Sequence, residues 1–507
     1  MNPQDAFAPG LTVGGLMALS GVEFGTSGAR GLVADMTDLV CFGYARGFLD
    51  YLAGIGGFST GGQVALAGDL RPSTPRILAA CAEAVTAAGG VPVFLGYVPT
   101  PTLALWSLAA QAPGIMVTGS HIPDDRNGIK FYRRDGEVLK SDEAGMRAQV
   151  LNLPQSRFDA AGMLVNPAPL PAVTDAVEAY VARYVSAFGG TLAGLRIGVY
   201  QHSAVGRDIL TRIVGELGAE AVPLGRSTTF MPVDTEAIRP EDVALAHQWA
   251  SEQSFDAIVS TDGDSDRPLL ADHTGEWLRG DVLGVLCAQA LGAHRVVTPV
   301  SSNTVLERCG SFAATSRTRI GSPYVIAEMN AALARGDTAV CGYEANGGFL
   351  LASDFRRGQA TITALPTRDA VLPIIAVLAA SRPGRVADLV AALPPRVTYS
   401  DRLKDFPQDL STRIFDHLLA GDEAEQRFRL DGYFRAIAGP VEQIDLTDGI
   451  RMTTRTGAVI HLRRSGNAPE LRCYSEADDR ETAVGIAEAA LAVVAGQLVA
   501  RFSKAAG

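Results

Sequence analysis

Residues 64–98 read VALAGDLRPSTPRILAACAEAVTAAGGVPVFLGYV. VALAG at 64–68 reads as a short buried strand. PRILAACAEAVTAAGG at 75–90 reads as a helix, with Pro75 suited to its first turn and glycine at its end. VPVFLGYV at 91–98 returns to strand. A strand, a helix and a strand in one short stretch form the βαβ unit, whose natural product is a mostly parallel sheet covered by helices.

Working outward, the same alternation continues. TLALWSLAAQ at 102–111 reads as a helix and GIMVTGS at 114–120 as a strand. The proline-rich turn VNPAPLPAV at 165–173 interrupts the pattern, which then restarts. A helix is expected over 172–187, a strand over 195–200, a helix over 205–219 and a strand over 255–260. A third unit starts near RVVTPV at 295–300 and includes YVIAEMNAALARG at 324–336 and TAVCGYE at 338–344. Helical character resumes over 367–381, and 382–395 reads as a linker. The remainder is more polar, with shorter elements. The expectation is three related α/β units at 1–165, 166–292 and 293–395, followed by a smaller α+β domain at 396–507.

Composition narrows the function classes. The 507 residues carry a formal net charge of −11, which favours solubility and gives no basis for nucleic-acid or acidic-membrane binding. MNPQDAFAPG has neither the positive cluster nor the apolar core of a secretory signal. The apolar run TAVGIAEAALAVVAGQLVARF is interrupted by Glu488 and Gln497, so a packed terminal helix is expected rather than a membrane span. The six cysteines are scattered, with no CxxC pair; buried thiols in a reducing cytoplasm are expected.

Four loops carry chemistry. In GIMVTGSHIPDDRNGIKFY, residues 114–132, Ser120 and His121 follow a buried strand, where open α/β sheets bind ligands. Lys130, beyond the turn-forming Asn127–Gly128, can reach back over that crevice. The alternative is a polar turn with a capping serine. The stretch TDGDSDR places Asp262, Asp264 and Asp266 in alternation, so an extended turn can aim three carboxylates at one centre. A divalent ion would cancel their repulsion, and hard oxygen donors favour magnesium over zinc. A phosphate on Ser120 would add another oxygen, and Arg267 offers a planar fork to phosphate. A solvated acidic turn is the competing reading. In GYEANGGFL, Glu344 sits among small residues and can accept from sugar hydroxyls. In HLRRSGNAPELR, Ser465, Gly466 and Asn467 can present a hydroxyl and amides to an anion flanked by Arg463 and Arg472.

Taken in order, these loops resemble the α-D-phosphohexomutase superfamily of phosphomannomutases and phosphoglucomutases. FGTSGARG at 24–31 looks like its amino-terminal motif, and GDLRPS at 68–73 like its GDxRPS motif. The resemblance covers almost the whole chain. It implies four domains around a central cleft: three related mixed-sheet α/β units and a carboxy-terminal phosphate-binding domain. It makes Ser120 the phosphoserine and Asp262, Asp264, Asp266 and the phosphoserine the magnesium ligands. It makes Lys130 a proton shuttle or phosphate partner, Arg30 a brace for the phosphoserine, and His121 either catalytic or an orienting group. Three departures stand out: Ile122 replaces asparagine, Asn346 replaces serine in the sugar loop, and Asn467 and Ala468 replace threonine and glutamate in the phosphate loop.

The implied reaction is reversible phosphoryl transfer between the 1- and 6-positions of a hexose phosphate, through phosphoserine and a hexose 1,6-bisphosphate that also serves as activator. Mannose phosphate is the first expectation, then glucose phosphate, then glucosamine phosphate; Glu344 and Asn346 would hold the sugar. A phosphatase and a non-catalytic sugar-phosphate-binding regulator are the rivals. A cytoplasmic location fits, and a monomer and a homodimer are both compatible with the sequence.

Overall fold

The computed structural model describes residues 3–25, 27–464 and 469–503. It divides into two compact units, Met1–Val297 with Gly321–Val390, and Thr298–Ile320 with Ala391–Gly507.

The first unit contains three mixed sheets built on one plan. In the first, Gln63–Gly68 pairs in parallel with Val91–Tyr97 and with Gly114–Val117, and Gly114–Val117 pairs antiparallel with Arg126–Arg133. In the second, Arg196–His202 lies parallel to Glu220–Arg226 and to Ala257–Thr261, and Ala257–Thr261 pairs antiparallel with Pro268–Ala271. In the third, Arg295–Pro299 runs parallel to Val340–Tyr343, which pairs antiparallel with Phe349–Leu351. Each time, a chain leaving the parallel part of the sheet turns through a loop and returns beside itself. The three loops are those of Ser120, the aspartates and Glu344.

The expected first βαβ forms: Gln63–Gly68, the helix Thr74–Ala87 and Val91–Tyr97. The helix Asp38–Gly54 adds Leu39, Phe42 and Phe48 to a core shared with Leu66, Ile77 and Ile115. Burial of each such side chain contributes about 1.5–3 kcal/mol, enough to set which face turns inward.

Three local expectations are corrected. The helix expected from 172 begins at Val177, because the Thr174 amide pairs with Phe94 O at 2.8 Å and Asp175 Oδ1 accepts from the Val177 amide at 2.9 Å. The first bond ties residue 174 to the strand Val91–Tyr97, and the second turns the chain at Asp175 into the first helical residue. Residues 367–369 belong to the strand Leu365–Asp369, and the helix occupies Val371–Ala380. The expected linker contains a short helix, Val386–Ala391.

In the second unit, the sheet order is Val397–Leu403, Leu471–Ala477, Val459–Arg464, Ile450–Thr454 and Val441–Asp445, all antiparallel. The helix Arg480–Val493 covers it. The run Arg480–Phe502 is long and apolar enough by composition to cross a membrane. Its Ala483, Ile486, Ala487, Ala490, Leu491, Val494 and Leu498 instead form one face of this unit's core, as the terminal-helix expectation required. Thr298–Ile320 is tied in by Asn303 Nδ2 to Arg396 O, the Thr304 amide to Glu476 Oε1 and the Ile320 amide to Asp448 Oδ2, each at 3.0 Å. All six cysteines are free thiols, and five are buried.

Two buried histidines make stability depend on pH. Burial pushes both His202 and His461 down to about 4 from 6.5. Between those values the unfolded chain binds protons that the native chain does not, so stability falls as pH falls through that window. Each histidine contributes a slope of about 1.4 kcal/mol per pH unit there. Urea midpoints measured at about pH 7 and about pH 5 should drop on acidification, and His202→Gln and His461→Gln should each flatten the dependence. A midpoint insensitive to pH in this range contradicts the burial argument.

Candidate active site

The serine loop leaves the strand Gly114–Val117 and is wrapped around one side chain. Arg71 is the largest fully buried side chain among the described residues. Its guanidinium donates to Pro123 O (2.7 Å), Arg126 O (3.1 Å), Ser120 O (2.9 Å) and Ile122 O (2.5 Å). Asp69 balances its charge through Nε at 3.1 Å, and Phe230 lies under it at 4.0 Å. Gly119 is required by this packing, since a Cβ there would lie 2.6 Å from the Arg71 guanidinium carbon. Ser120 takes φ 55, the left-handed region, and its amide donates to Thr118 Oγ1 at 2.8 Å. Its side chain therefore leaves the sheet edge and points at the acidic loop, where Oγ donates to Asp262 Oδ2 at 2.6 Å.

The acidic loop joins Ala257–Thr261 to Pro268–Ala271. Asp262 Oδ1 accepts the amides of Asp266 and Arg267, both at 3.2 Å, which curls the turn back on itself. Asp262, Asp264 and Asp266 are buried, and one oxygen from each falls within 4.8 Å of the others. Lys130 Nζ donates to Asp264 Oδ2 and Asp266 Oδ2, each at 2.6 Å, and Thr100 Oγ1 donates to Asp264 Oδ2 at 2.6 Å. Burial, then the charges of Asp264 and Asp266, raise the Asp262 carboxyl well above its usual range. Burial acts in the same direction on Asp264, but the Lys130 ammonium, the Thr100 hydroxyl and the Arg368 charge together outweigh it and the net shift is downward. Lys130 itself is destabilised by burial and more than rescued by these two acids, so its ammonium is held above its ordinary value.

This donor set fits a divalent cation. Asp264 Oδ1 and Asp266 Oδ1 are buried with no hydrogen-bond partner among the described residues. Three carboxylates converging without sulfur or imidazole suit a hard, oxygen-seeking ion.

Around the cage lie the other expected residues. His121 Nδ1 accepts from Arg267 Nη1 at 2.8 Å, lies 3.4 Å from Ser120 Oγ, and turns Nε2 toward Asp234 Oδ2 at 4.0 Å. Burial and then the Arg267 charge depress the imidazole to about 3, so it is neutral. Arg30 stands opposite Gly128 in the strand register. Burial, then Arg267 and Arg368, lower its guanidinium to about 10, an environment that favours an anion beside it. Glu344 and Asn346 are buried; Asn346 Oδ1 accepts from the Gly348 amide at 3.0 Å, and Asn346 O accepts from Thr235 Oγ1 at 2.7 Å. Ser120, His121, Lys130, Arg267, the three aspartates, Arg30 and Glu344 thus form one neighbourhood in the first unit.

The second unit holds the phosphate-loop residues separately. Ser465, Gly466 and Asn467 lie outside the described residues. Arg463 and Arg472 face each other across the strand register. Arg463 Nε meets Asp448 Oδ2 at 3.1 Å, and Arg472 Nη2 meets Glu470 Oε2 at 3.2 Å. Arg463, Arg464 and Arg319 line a cavity of about 590 Å³ with Thr412, Phe415 and Asp448.

Sequence reading missed two arginines. Arg71 lay within the quoted GDLRPS motif, but its hold on four carbonyls is visible only in the fold. Arg368 donates to Asp266 Oδ2 and Glu344 Oε2, and its one signal was a charge in an otherwise buried strand. The Arg71 network makes a prediction. Arg71→Met removes the partner of buried Asp69 and strands the loop carbonyls, and should cost about 3–5 kcal/mol in urea unfolding. Arg71→Lys, lacking the planar fork, should recover only part of it. Amide exchange at 119–126 should accelerate in both; unchanged protection there would refute the role assigned to Arg71.

Comparison with known proteins agrees with this geometry. Residues 21–155, 178–275 and 279–397 match, in turn, the phosphoglucomutase/phosphomannomutase alpha/beta/alpha domains I, II and III. The chain is 45% identical over 480 residues to a phosphomannomutase of Salmonella muenchen, covering 94% of this chain and 97% of that one. It is 44% identical to a phosphomannomutase of Sinorhizobium fredii, covering 94% and 100%. A phosphoglucosamine mutase of Symbiobacterium thermophilum is 31% identical over 60% of this chain and 70% of its own. Among solved structures, a phosphoglucomutase/phosphomannomutase family protein from Burkholderia thailandensis shares the fold with TM-score 0.72 at 20% identity, covering 92% and 96%. The chain belongs to the phosphoglucomutase/phosphomannomutase family of the α-D-phosphohexomutase superfamily, whose reaction is phosphoryl transfer on hexose phosphates.

Proposed function

We propose that this chain is a phosphomannomutase-like enzyme that interconverts hexose 1-phosphate and hexose 6-phosphate, with mannose phosphate its preferred substrate. The observation that carries the reading is the Ser120 hydroxyl at 2.6 Å from a carboxylate of the buried aspartate cage. The 45% and 44% identities to two phosphomannomutases favour mannose. The alternatives are glucose and glucosamine phosphates.

Ser120 Oγ carries the phosphoryl group. In donation, the P–O bond to Oγ breaks and a bond to the sugar's free hydroxyl oxygen forms, giving the 1,6-bisphosphate. The hydroxyl proton ends on Oγ, which then donates to Asp262 Oδ2 as in this structure. After the bisphosphate turns over, its other phosphate returns to Ser120. Asp262, Asp264, Asp266 and the seryl phosphate would hold magnesium, which when bound neutralises charge on the transferring group. Arg267 and Arg30 contribute fixed positive charge beside Ser120. Lys130, held as an ammonium by two carboxylates, supports the role of charged partner to phosphate better than that of base. His121 is neutral with Nδ1 engaged by Arg267, which favours an orienting role. Glu344 and Asn346 receive sugar hydroxyls. Arg463, Ser465, Gly466, Asn467 and Arg472 grip the phosphate that is not reacting. In this reading the residues at 1–165 carry the serine, 166–292 the metal, 293–395 the sugar loop and 396–507 the second phosphate site.

A coupled assay with mannose, glucose and glucosamine 1-phosphates, magnesium and bisphosphate activator tests the reading. Mannose 1-phosphate should give the highest kcat/KM. Negligible turnover of all three sinks the proposal, and stoichiometric release of inorganic phosphate would make the protein a phosphatase. Ser120→Ala should lose the exchangeable phosphate by intact mass and reduce turnover by more than roughly 10⁴-fold, as loss of a covalent nucleophile does.

A further inference from the structure

Arg368 joins three loops that are distant in sequence. Its side chain is 2% exposed. Nη2 and Nε approach Asp266 Oδ2 at 3.0 and 3.1 Å, Nη1 donates to Glu344 Oε2 at 3.2 Å, and Nη2 donates to Ser27 Oγ at 3.3 Å. The backbone beneath it is fixed from both sides. Thr367 Oγ1 donates to buried Glu137 at 2.6 Å, and Asp369 accepts from Tyr180 at 2.8 Å and from Tyr184. The sugar loop is shaped to admit the arginine, for a Cβ at Gly348 would lie 2.6 Å from Arg368 Cδ. That contact accounts for glycine at 348 in the sugar loop.

Two features make this more than a scaffold contact. Asp266 Oδ2 is shared between Arg368 and Lys130, so anything that draws on that carboxylate changes its hold on Arg368. Glu344 gives Arg368 one oxygen, while Oε1 makes no hydrogen bond to a described residue. An arginine anchored on Oε2 leaves Oε1 with one orientation in which to accept a hydroxyl.

We propose that Arg368 is a positioning residue that links divalent-cation binding at the aspartate cage to sugar binding at Glu344. The inference rests on the phosphohexomutase reading above. As a cation draws on Asp266, the guanidinium is left with Glu344 as its second carboxylate and holds it more firmly for the sugar. Such linkage is reciprocal: the cation tightens sugar binding by the factor by which the sugar tightens cation binding.

The test is calorimetric binding of mannose 6-phosphate to the full chain with and without magnesium, and of magnesium with and without mannose 6-phosphate. The parent should show about a fivefold or greater tightening in both directions. In Arg368→Met the ratio should fall toward one, with both ligands still binding. Arg368→Lys, whose compact ammonium cannot span both acids, should lose at least half of the linkage. A merely structural arginine would weaken binding without altering the ratio. A parent ratio of one, or a parental ratio in Arg368→Met, overturns the inference. Should the methionine variant fail to give a native circular dichroism spectrum, Arg368→Lys decides, and a full ratio there overturns it. A parent that binds no hexose phosphate even with magnesium removes the phosphohexomutase reading and this inference with it; failure of the ratio alone removes only the linkage.

Discussion

Three carboxylates buried within 4.8 Å of one another set the terms for the rest of the site. Two like charges about 4 Å apart cost about 4 kcal/mol even at an effective dielectric near 20. The protein meets that cost with two cations from elsewhere in the first unit, Lys130 bridging Asp264 and Asp266 and Arg368 on Asp266, and with Arg267 of the same loop at 3.7 Å from Asp266 and 4.0 Å from Asp262. One of these cations, Arg267, also reaches His121 beside Ser120, so the charge that makes the acids tolerable extends to the serine loop.

The repeated sheet plan explains how such distant residues meet. Ser120, the aspartates and Glu344 each lie where a strand leaves the parallel part of its sheet and returns antiparallel. Such a loop sits at a strand's carboxyl end, the edge at which open α/β sheets place their ligands. It is also pinned at both ends by ladder hydrogen bonds, so its side chains vary while its endpoints stay put. That is why a side chain such as Asn346 can occupy the sugar loop without disturbing Val340–Tyr343 or Phe349–Leu351.

Much of this was legible from the residues. Alternating apolar strands and helices gave three α/β units, and the spacing of Asp262, Asp264 and Asp266 pointed to a shared centre. The start of the helix Thr74–Ala87 was legible through Pro75, whereas the start at Val177 depended on a bond from Thr174 to Phe94, some eighty residues earlier. Arg368 was illegible for the same reason: its partners lie 102 and 24 residues away, one of them in the loop of a different sheet, and only tertiary packing brings them together. Arg71 was visible as part of a motif, yet nothing local says that an arginine will be buried completely and spend its donors on carbonyls. Local pattern reveals elements and charged clusters; it does not reveal which charge ends up inside.

The division of the chain into units has a temporal side. Thr298–Ile320 is bonded to Arg396, Asp448 and Glu476, all made later, and the 70 residues Gly321–Val390 come between. At about 5–20 residues per second, a ribosome needs several seconds to deliver even the nearest of those partners. During synthesis Thr298–Ile320 must therefore wait, tethered, for partners made later, and the antiparallel sheet cannot be finished before its Leu471–Ala477 strand has been made.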